Sequence, residues 1–138
     1  MKYFYKTLSA LILLPLFSLA QSNYKPGYIV TLKGDTVRGF VNYKEWNANP
    51  NSVDFKTTIA DKEKRFTPAE IRFFSINGQE SYRQYAGPVS IDYTDVGHMS
   101  NSRDTSFRTE TVFLKVLQKG SKLALYSFAD DIKLRFFI

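Results

Sequence analysis

Gly27-Tyr28-Ile29-Val30-Thr31-Leu32-Lys33-Gly34-Asp35-Thr36-Val37-Arg38-Gly39-Phe40-Val41-Asn42-Tyr43 reads as a β-hairpin. Gly27 to Leu32 is rich in β-branched and aromatic residues, the composition of a strand. Lys33-Gly34-Asp35 carries turn chemistry: Gly34 accepts a positive φ, and Asp35 can bond the backbone two residues on. Thr36 to Tyr43 then returns with strand composition, which closes the hairpin. Gly39 interrupts that second strand and predicts a bulge or a close backbone approach.

Downstream, Lys44 to Ser52 is a loop dense in Asn and closed by Asn49-Pro50. Val53-Asp54-Phe55-Lys56 alternates apolar with polar, as a half-buried strand does. A short strand is expected at Arg65-Phe66. Thr67-Pro68-Ala69-Glu70 has a Thr cap, Pro at the first helical position and Glu three residues after the cap, which predicts one helical turn. Arg72 to Ile76 and Glu80 to Tyr85 flank Asn77-Gly78, a two-residue hairpin turn. Gly87-Pro88 separates a further strand, Val89 to Tyr93. Thr94 to Arg108 has no clear period. Thr109 to Gln118 is the most strongly β-forming segment, followed by Lys122 to Phe128 and Ile132 to Ile138. The expectation is an all-β fold: a small antiparallel barrel or sandwich of about eight to ten short strands with one short helical turn.

The first twenty residues have a different character. Met1 to Lys6 carries Lys2 and Lys6, Leu8 to Leu19 is an apolar run, and Ser18-Leu19-Ala20 places small residues at a cleavage-site spacing. This is the three-part pattern of a secretory signal peptide, and the run is too short to span a membrane, which takes about 20 apolar residues. Residues 1–20 are thus expected to be a leader, and residues 21–138 a single β-rich domain. No second apolar stretch is long enough to cross a membrane as a helix. Hydrophobic content of 43% and aromatic content of 16% are ample for a core, which argues against disorder. The chain has no cysteine, which excludes disulfides, thiol nucleophiles, thiolate zinc sites and a lipobox. A small exported domain without bridges fits the periplasm or cell surface of a Gram-negative bacterium best. The net charge of +6 includes the two lysines of the leader. The remaining basic residues are scattered apart from Lys62-Glu63-Lys64-Arg65, which reads as a solvated face rather than a footprint for an anionic partner.

From Gly27 to Gly39 the chain resembles a family of exported proteins of Bacteroidetes-type bacteria whose role is not assigned. They have a signal peptide, a G-Y-[IV]-x-x-x-x-G-D-T-[IV]-x-G hairpin and several strands with an F-T-P-x-[ED]-I step, here Phe66-Thr67-Pro68-Ala69-Glu70-Ile71. The resemblance covers residues 27 to 76 and, more loosely, the later strands. It implies a compartment and a domain type, and no catalytic residue. Some proteins of this kind continue into an outer-membrane barrel. The apolar stretch Ile132 to Ile138 must be paired or covered. It reads either as an interior strand or as part of the front of a longer protein.

Four groups of residues were weighed as sites. Tyr43, Trp46, Asn47 and Asn49 are the best ligand-binding candidates, because an aromatic face flanked by amides can stack on a sugar ring and bond its hydroxyls. The competing reading is that Trp46, the single tryptophan, folds back to cap the core. His98, the single histidine, would need Ser100, Ser102 or Ser106 beside it and Asp92, Asp95 or Asp104 to orient it for hydrolysis. The same three aspartates offer oxygens to calcium, but without the spacing of a calcium loop. Arg72, Arg83, Arg103 and Arg108 with Tyr82 and Tyr85 have the composition of a single-strand nucleic-acid face, an arrangement that export makes a poor fit. The sequence therefore predicts no catalytic residue, no metal, no cofactor and no nucleic-acid partner. It predicts a non-enzymatic exported β-domain that binds or scaffolds at the cell envelope. The partner would be another envelope protein or a glycan, and one route is strand addition along Val112–Leu117 or Ile132–Ile138. The alternatives are a soluble N-terminal module of a longer outer-membrane-associated protein, or a small hydrolase using His98.

Overall fold

The computed structural model describes residues 23–94, 96–98, 102 and 104–138. The expected leader, together with Asp95, Ser100 and Arg103, lies outside the described residues. The strands are β1 (Tyr24–Thr31), β2 (Thr36–Asn42), β3 (Val53–Lys56), β4 (Lys64–Phe66), β5 (Ile71–Ile76), β6 (Ser81–Ser90), β7 (Phe107–Lys119), β8 (Ala124–Ala129) and β9 (Leu134–Phe137). All pair antiparallel in one sheet of order β4-β3-β2-β1-β5-β6-β7-β8-β9. The fold is all-β, as the strand composition predicts. The sheet is not closed into a barrel: β4 and β9 are its two free edges. No described helix is long and apolar enough to cross a membrane.

The first hairpin forms where the sequence puts it, pairing Val30 with Thr36 and Tyr24 with Asn42. Its turn is closed by the N–H of Gly34 donating to the Thr31 carbonyl at 3.0 Å, and Gly34 takes a φ of 99°. The side chain that locks the turn is Thr31, whose hydroxyl accepts from the Asp35 N–H at 3.2 Å; the expected bond from the Asp35 carboxylate is not what closes it. At Gly39 the close-approach reading holds. A Cβ there would lie 2.2 Å from the Lys56 carbonyl oxygen and 2.5 Å from the Phe55 ring. In the second hairpin, Gln79 N–H donates to the Ile76 carbonyl and only Gly78 takes a positive φ, the pattern of a type II turn.

Two local expectations need correction. Thr67 to Glu70 forms a single hydrogen-bonded turn rather than a helical one. Half of the capping box is present, the Thr67 N–H donating to Glu70 Oε2 at 2.8 Å, while the Glu70 N–H closes the turn on the Thr67 carbonyl at 3.0 Å. Ile71 enters β5 at once, because its side chain is fully buried in the sheet core. Among the described residues the short helical segment is instead a 3-10 turn at Val96–His98. Second, Gly87-Pro88 does not divide two strands; β6 runs through it, with Gly87 opposite Glu110 and Pro88 opposite Thr109. Proline is tolerated because β5 pairs with β6 only from Ser81 to Arg83. Beyond that, β6 has a neighbour on one side only, and the missing N–H deprives no ladder.

The registers place two cores on opposite faces of this one sheet. On β7, Phe113 faces one side, while Val112 and Leu114 face the other, as strand alternation requires. Phe113 joins Ile29, Val41, Phe55, Phe74 and Tyr82 in the larger core, which fills the curl of β1 to β6. Val112 and Leu114 join Val89 and Phe128 in a smaller one, with Tyr85, Tyr126 and Phe137 packed against it. The long strands β6 and β7 serve both.

Candidate functional site

The loop after β2 holds all four residues expected to bind ligand, and the structure brings Tyr43 and Trp46 together against the larger core while Asn47 and Asn49 part from them. Glu45 takes a φ of 49°, a left-handed turn that is uncommon for a non-glycine residue. The chain thereby doubles back, and Trp46 lies edge-on to Tyr43, Phe74 and Tyr82 at ring separations of 5.7, 6.0 and 5.7 Å. This is the capping reading of Trp46. Tyr43 is buried, with Lys25 over its ring at 4.7 Å. Asn47 is exposed. The four thus form no common face.

Asn49 does something that its loop context does not announce. The β7–β8 ladder runs from Lys119 to Lys115 and then stops, because the two strands diverge. Asn49 fills the gap. Its Nδ2 donates to the Phe113 carbonyl at 2.6 Å and to the Ser127 carbonyl at 3.1 Å, and its Oδ1 accepts from the Ala129 N–H at 3.0 Å. Its own N–H donates to the Ala129 carbonyl at 2.9 Å. A primary amide is the one side-chain group with two hydrogens and an acceptor suited to this. The loop that leaves the β2 end of the sheet is in this way pinned to the β7–β8 end.

Several charged groups are spent on one another. Asp54, on the face of β3 away from the larger core, is 4% exposed and accepts from Arg65 at 2.7 Å and from Lys44 at 2.9 Å. The Arg65 bond, aided by Lys44 and opposed by burial, holds its carboxyl below the ordinary 3.8. Arg135, 7% exposed, donates to Asp130 at 2.9 Å and to the Ser90 carbonyl at 2.7 Å. Burial alone would raise the Asp130 carboxyl, but Arg135 and the N–H groups of Lys133 and Ile132 hold it low. Glu80 accepts from Tyr82 at 2.7 Å and pairs with Lys115, while burial and Glu80 push the Tyr82 phenol up.

These shifts give the fold an acid-labile term. A carboxylate whose pKa is lowered by folding stabilises the fold above its unfolded value, and that contribution is lost as pH falls through the folded value. The melting temperature is therefore expected to hold from pH 7 to about 5 and to fall progressively below about pH 4. Asp54→Asn, which cannot ionise, lowers it at neutral pH and flattens the acid limb. An equally steep limb in the variant would assign the acid sensitivity elsewhere. Thermal denaturation across pH measures both.

The irregular segment after β6 carries the residues considered for hydrolysis and for calcium. His98 ends the 3-10 turn, and its side chain lies outside the described residues. The two described aspartates are committed to other work: Asp92 accepts from Lys133 at 2.6 Å, and Asp104 accepts from the Ser106 hydroxyl at 2.6 Å. Both carboxyls are held low by those same partners. No three His, Cys, Asp or Glu side chains gather as a metal site among the described residues. Tyr82 and Tyr85, grouped earlier with the arginines, sit in opposite cores.

Two surface features remain. One is the edge strand β9, where Leu134 is 55% and Phe136 62% exposed. The other is a cleft of about 370 Å³ at the open end of the smaller core, walled by Tyr85, Leu114, Tyr126 and Phe137 and rimmed by Arg83 and Lys122. The sequence marks Ile132–Ile138 as a sticky strand but gives no sign of the cleft, whose walls come from four different strands. Another concavity, of about 420 Å³ and beside Asn49, is lined by Arg108, Glu110 and Asp130, and Arg108 pairs with both acids. No family model, no curated protein and no solved structure matches the chain.

Proposed function

We propose that this chain is an exported, non-enzymatic β-domain of the bacterial cell envelope, which binds another envelope protein by taking up an extended segment of it along β9. Support for export comes from the sequence of residues 1–20, and support for binding from the contrast between the two sheet edges. Edge β4 is three residues long and presents exposed Lys64 and Arg65, the usual protection against unwanted pairing. Edge β9, four residues long, turns its one charged side chain, Arg135, inward and shows no charge on its outer face. Leu134 and Phe136 lie exposed on one face of it, with Leu125 of β8 beside them. A free row of backbone donors and acceptors flanked by apolar side chains is what strand addition uses: the ladder supplies affinity and the side chains specificity.

The test is site-specific photo-cross-linking in living cells, with the reactive residue placed at Phe136 or, as control, at Lys64. The proposal predicts an adduct with a different envelope protein from position 136 alone, lost when Leu134 becomes Lys. It also predicts that the exported chain begins at Gln21. No adduct at 136, equal adducts at both positions, or only an adduct between two copies of this chain would overturn it.

A further inference from the structure

The cleft at the open end of the smaller core is separate from the exposed Leu134 and Phe136 side chains of β9, although Phe137 of that strand forms one of its walls. Its walls are aromatic and aliphatic: Tyr85 and Phe137 lie 5.0 Å apart, with Leu114 and Tyr126 completing the pocket. Its volume of about 370 Å³ is within the range of small-molecule sites, about 300–1,000 Å³. The polar side chains facing it are largely spent. Tyr85 donates to the Pro88 carbonyl at 3.2 Å, and Gln84 lies on the opposite face of β6, where it donates to the Pro68 carbonyl at 2.6 Å. The interior therefore offers few partners to a peptide backbone, whose buried N–H and C=O groups would be left unsatisfied. An unbranched hydrocarbon has no such groups.

The rim has the opposite character. Arg83 Nη1 donates to the Tyr126 hydroxyl oxygen at 3.3 Å, which leaves the phenol's own hydrogen free to donate. Lys122 stands on the same rim, and no carboxylate among the described residues pairs with it or with Arg83. Two unmatched cations and a free phenolic hydrogen at the mouth of an apolar cleft complement an apolar chain with an anionic end. We infer that this cleft binds a free linear acyl carboxylate, its chain among Tyr85, Leu114, Tyr126 and Phe137 and its carboxylate between Arg83, Lys122 and Tyr126.

The experiment is calorimetric titration of the purified protein with dodecanoate below its micelle-forming concentration, with amide chemical shifts read in parallel. The expected result is saturable one-site binding, with shifts confined to the cleft residues of β6 to β9. Dodecanol and dodecyltrimethylammonium should bind at least tenfold more weakly, since a charge-assisted bond is worth about a factor of ten. Arg83→Gln, a change at an exposed side chain, should weaken dodecanoate by about tenfold and leave dodecanol unchanged. Leu134→Lys, which disables the β9 edge, should leave dodecanoate binding intact, so failure of one site is distinguishable from failure of the other. The inference is overturned by equal affinity for the three amphiphiles, by an unchanged affinity in Arg83→Gln, or by shifts that map to the larger core. It is also overturned by a short apolar peptide that binds the cleft as tightly as dodecanoate.

Discussion

Asn49→Ala is expected to lower the stability of this domain by about 3 kcal/mol, although Asn49 lies in a loop. The substitution removes three side-chain hydrogen bonds and leaves the Phe113 and Ser127 carbonyls and the Ala129 N–H without that partner. An ordinary hydrogen bond contributes about 1 kcal/mol, but a buried group left unsatisfied costs about 1–3 kcal/mol, so three affected groups justify the larger figure. In a domain of this size that is a fall in melting temperature of roughly 10–15 °C. Asn49→Asp should be worse. A carboxylate has no hydrogens to donate, and it would set a negative charge against two carbonyl oxygens. Thermal denaturation of the two variants is the check. A loss under about 1 kcal/mol in both would mean that the loop is not clasped to β7 and β8.

Phe74→Ala has the second large effect, about 4 kcal/mol. Phe74 is fully buried, stacked on Tyr82 at 4.8 Å and edge-on to Phe113 at 4.9 Å. Deleting the ring removes its burial and leaves a cavity between strands that cannot all close upon it. Since domains are typically stable by about 5–15 kcal/mol, the variant would be marginal. Trp46 makes the measurement direct. It is the only tryptophan in the chain and lies against the same ring at 6.0 Å, so its emission reports this core alone. Equilibrium denaturation should show the Trp46 transition shifted to lower denaturant with its slope unchanged. A midpoint close to that of the unaltered protein would put Trp46 and Phe74 outside a common core.

Much of this architecture is legible in the residues. The hairpin from Gly27 to Tyr43, the cap at Thr67 and the two-sided alternation of Ala124 to Phe128 follow from side chains and from neighbours near in sequence. Ala124, Tyr126 and Phe128 do point to one face, and Leu125 and Ser127 to the other. What the sequence hides is set by partners far along the chain. Asn49 looks like loop composition, and only the divergence of β7 and β8, more than sixty residues on, gives its amide a task. Asp54 reads as the polar side of a half-buried strand, yet Lys44 and Arg65 cover it. Gly87-Pro88 reads as a break, and becomes part of a strand because β5 ends early. The four expected ligand residues share one loop but not one surface, since the left-handed turn at Glu45 sends Trp46 inward. The alternation of β7 hints at two buried faces. That these are two separate cores depends on how the sheet curls, which no local pattern encodes.

The functional reading depends on β9 being a free edge, and residue-resolved amide hydrogen exchange of the monomeric protein tests that most directly. The account predicts strong protection at Gly27–Val30 of β1 and Phe73–Ser75 of β5, which are paired on both sides. Along β9, it predicts protection at alternate amides only: those facing β8 exchange slowly, and those between them exchange near the rate of an open chain. Uniform protection of every amide from Leu134 to Phe137 would mean that something already pairs with this edge, and the proposed place for a partner strand would be gone.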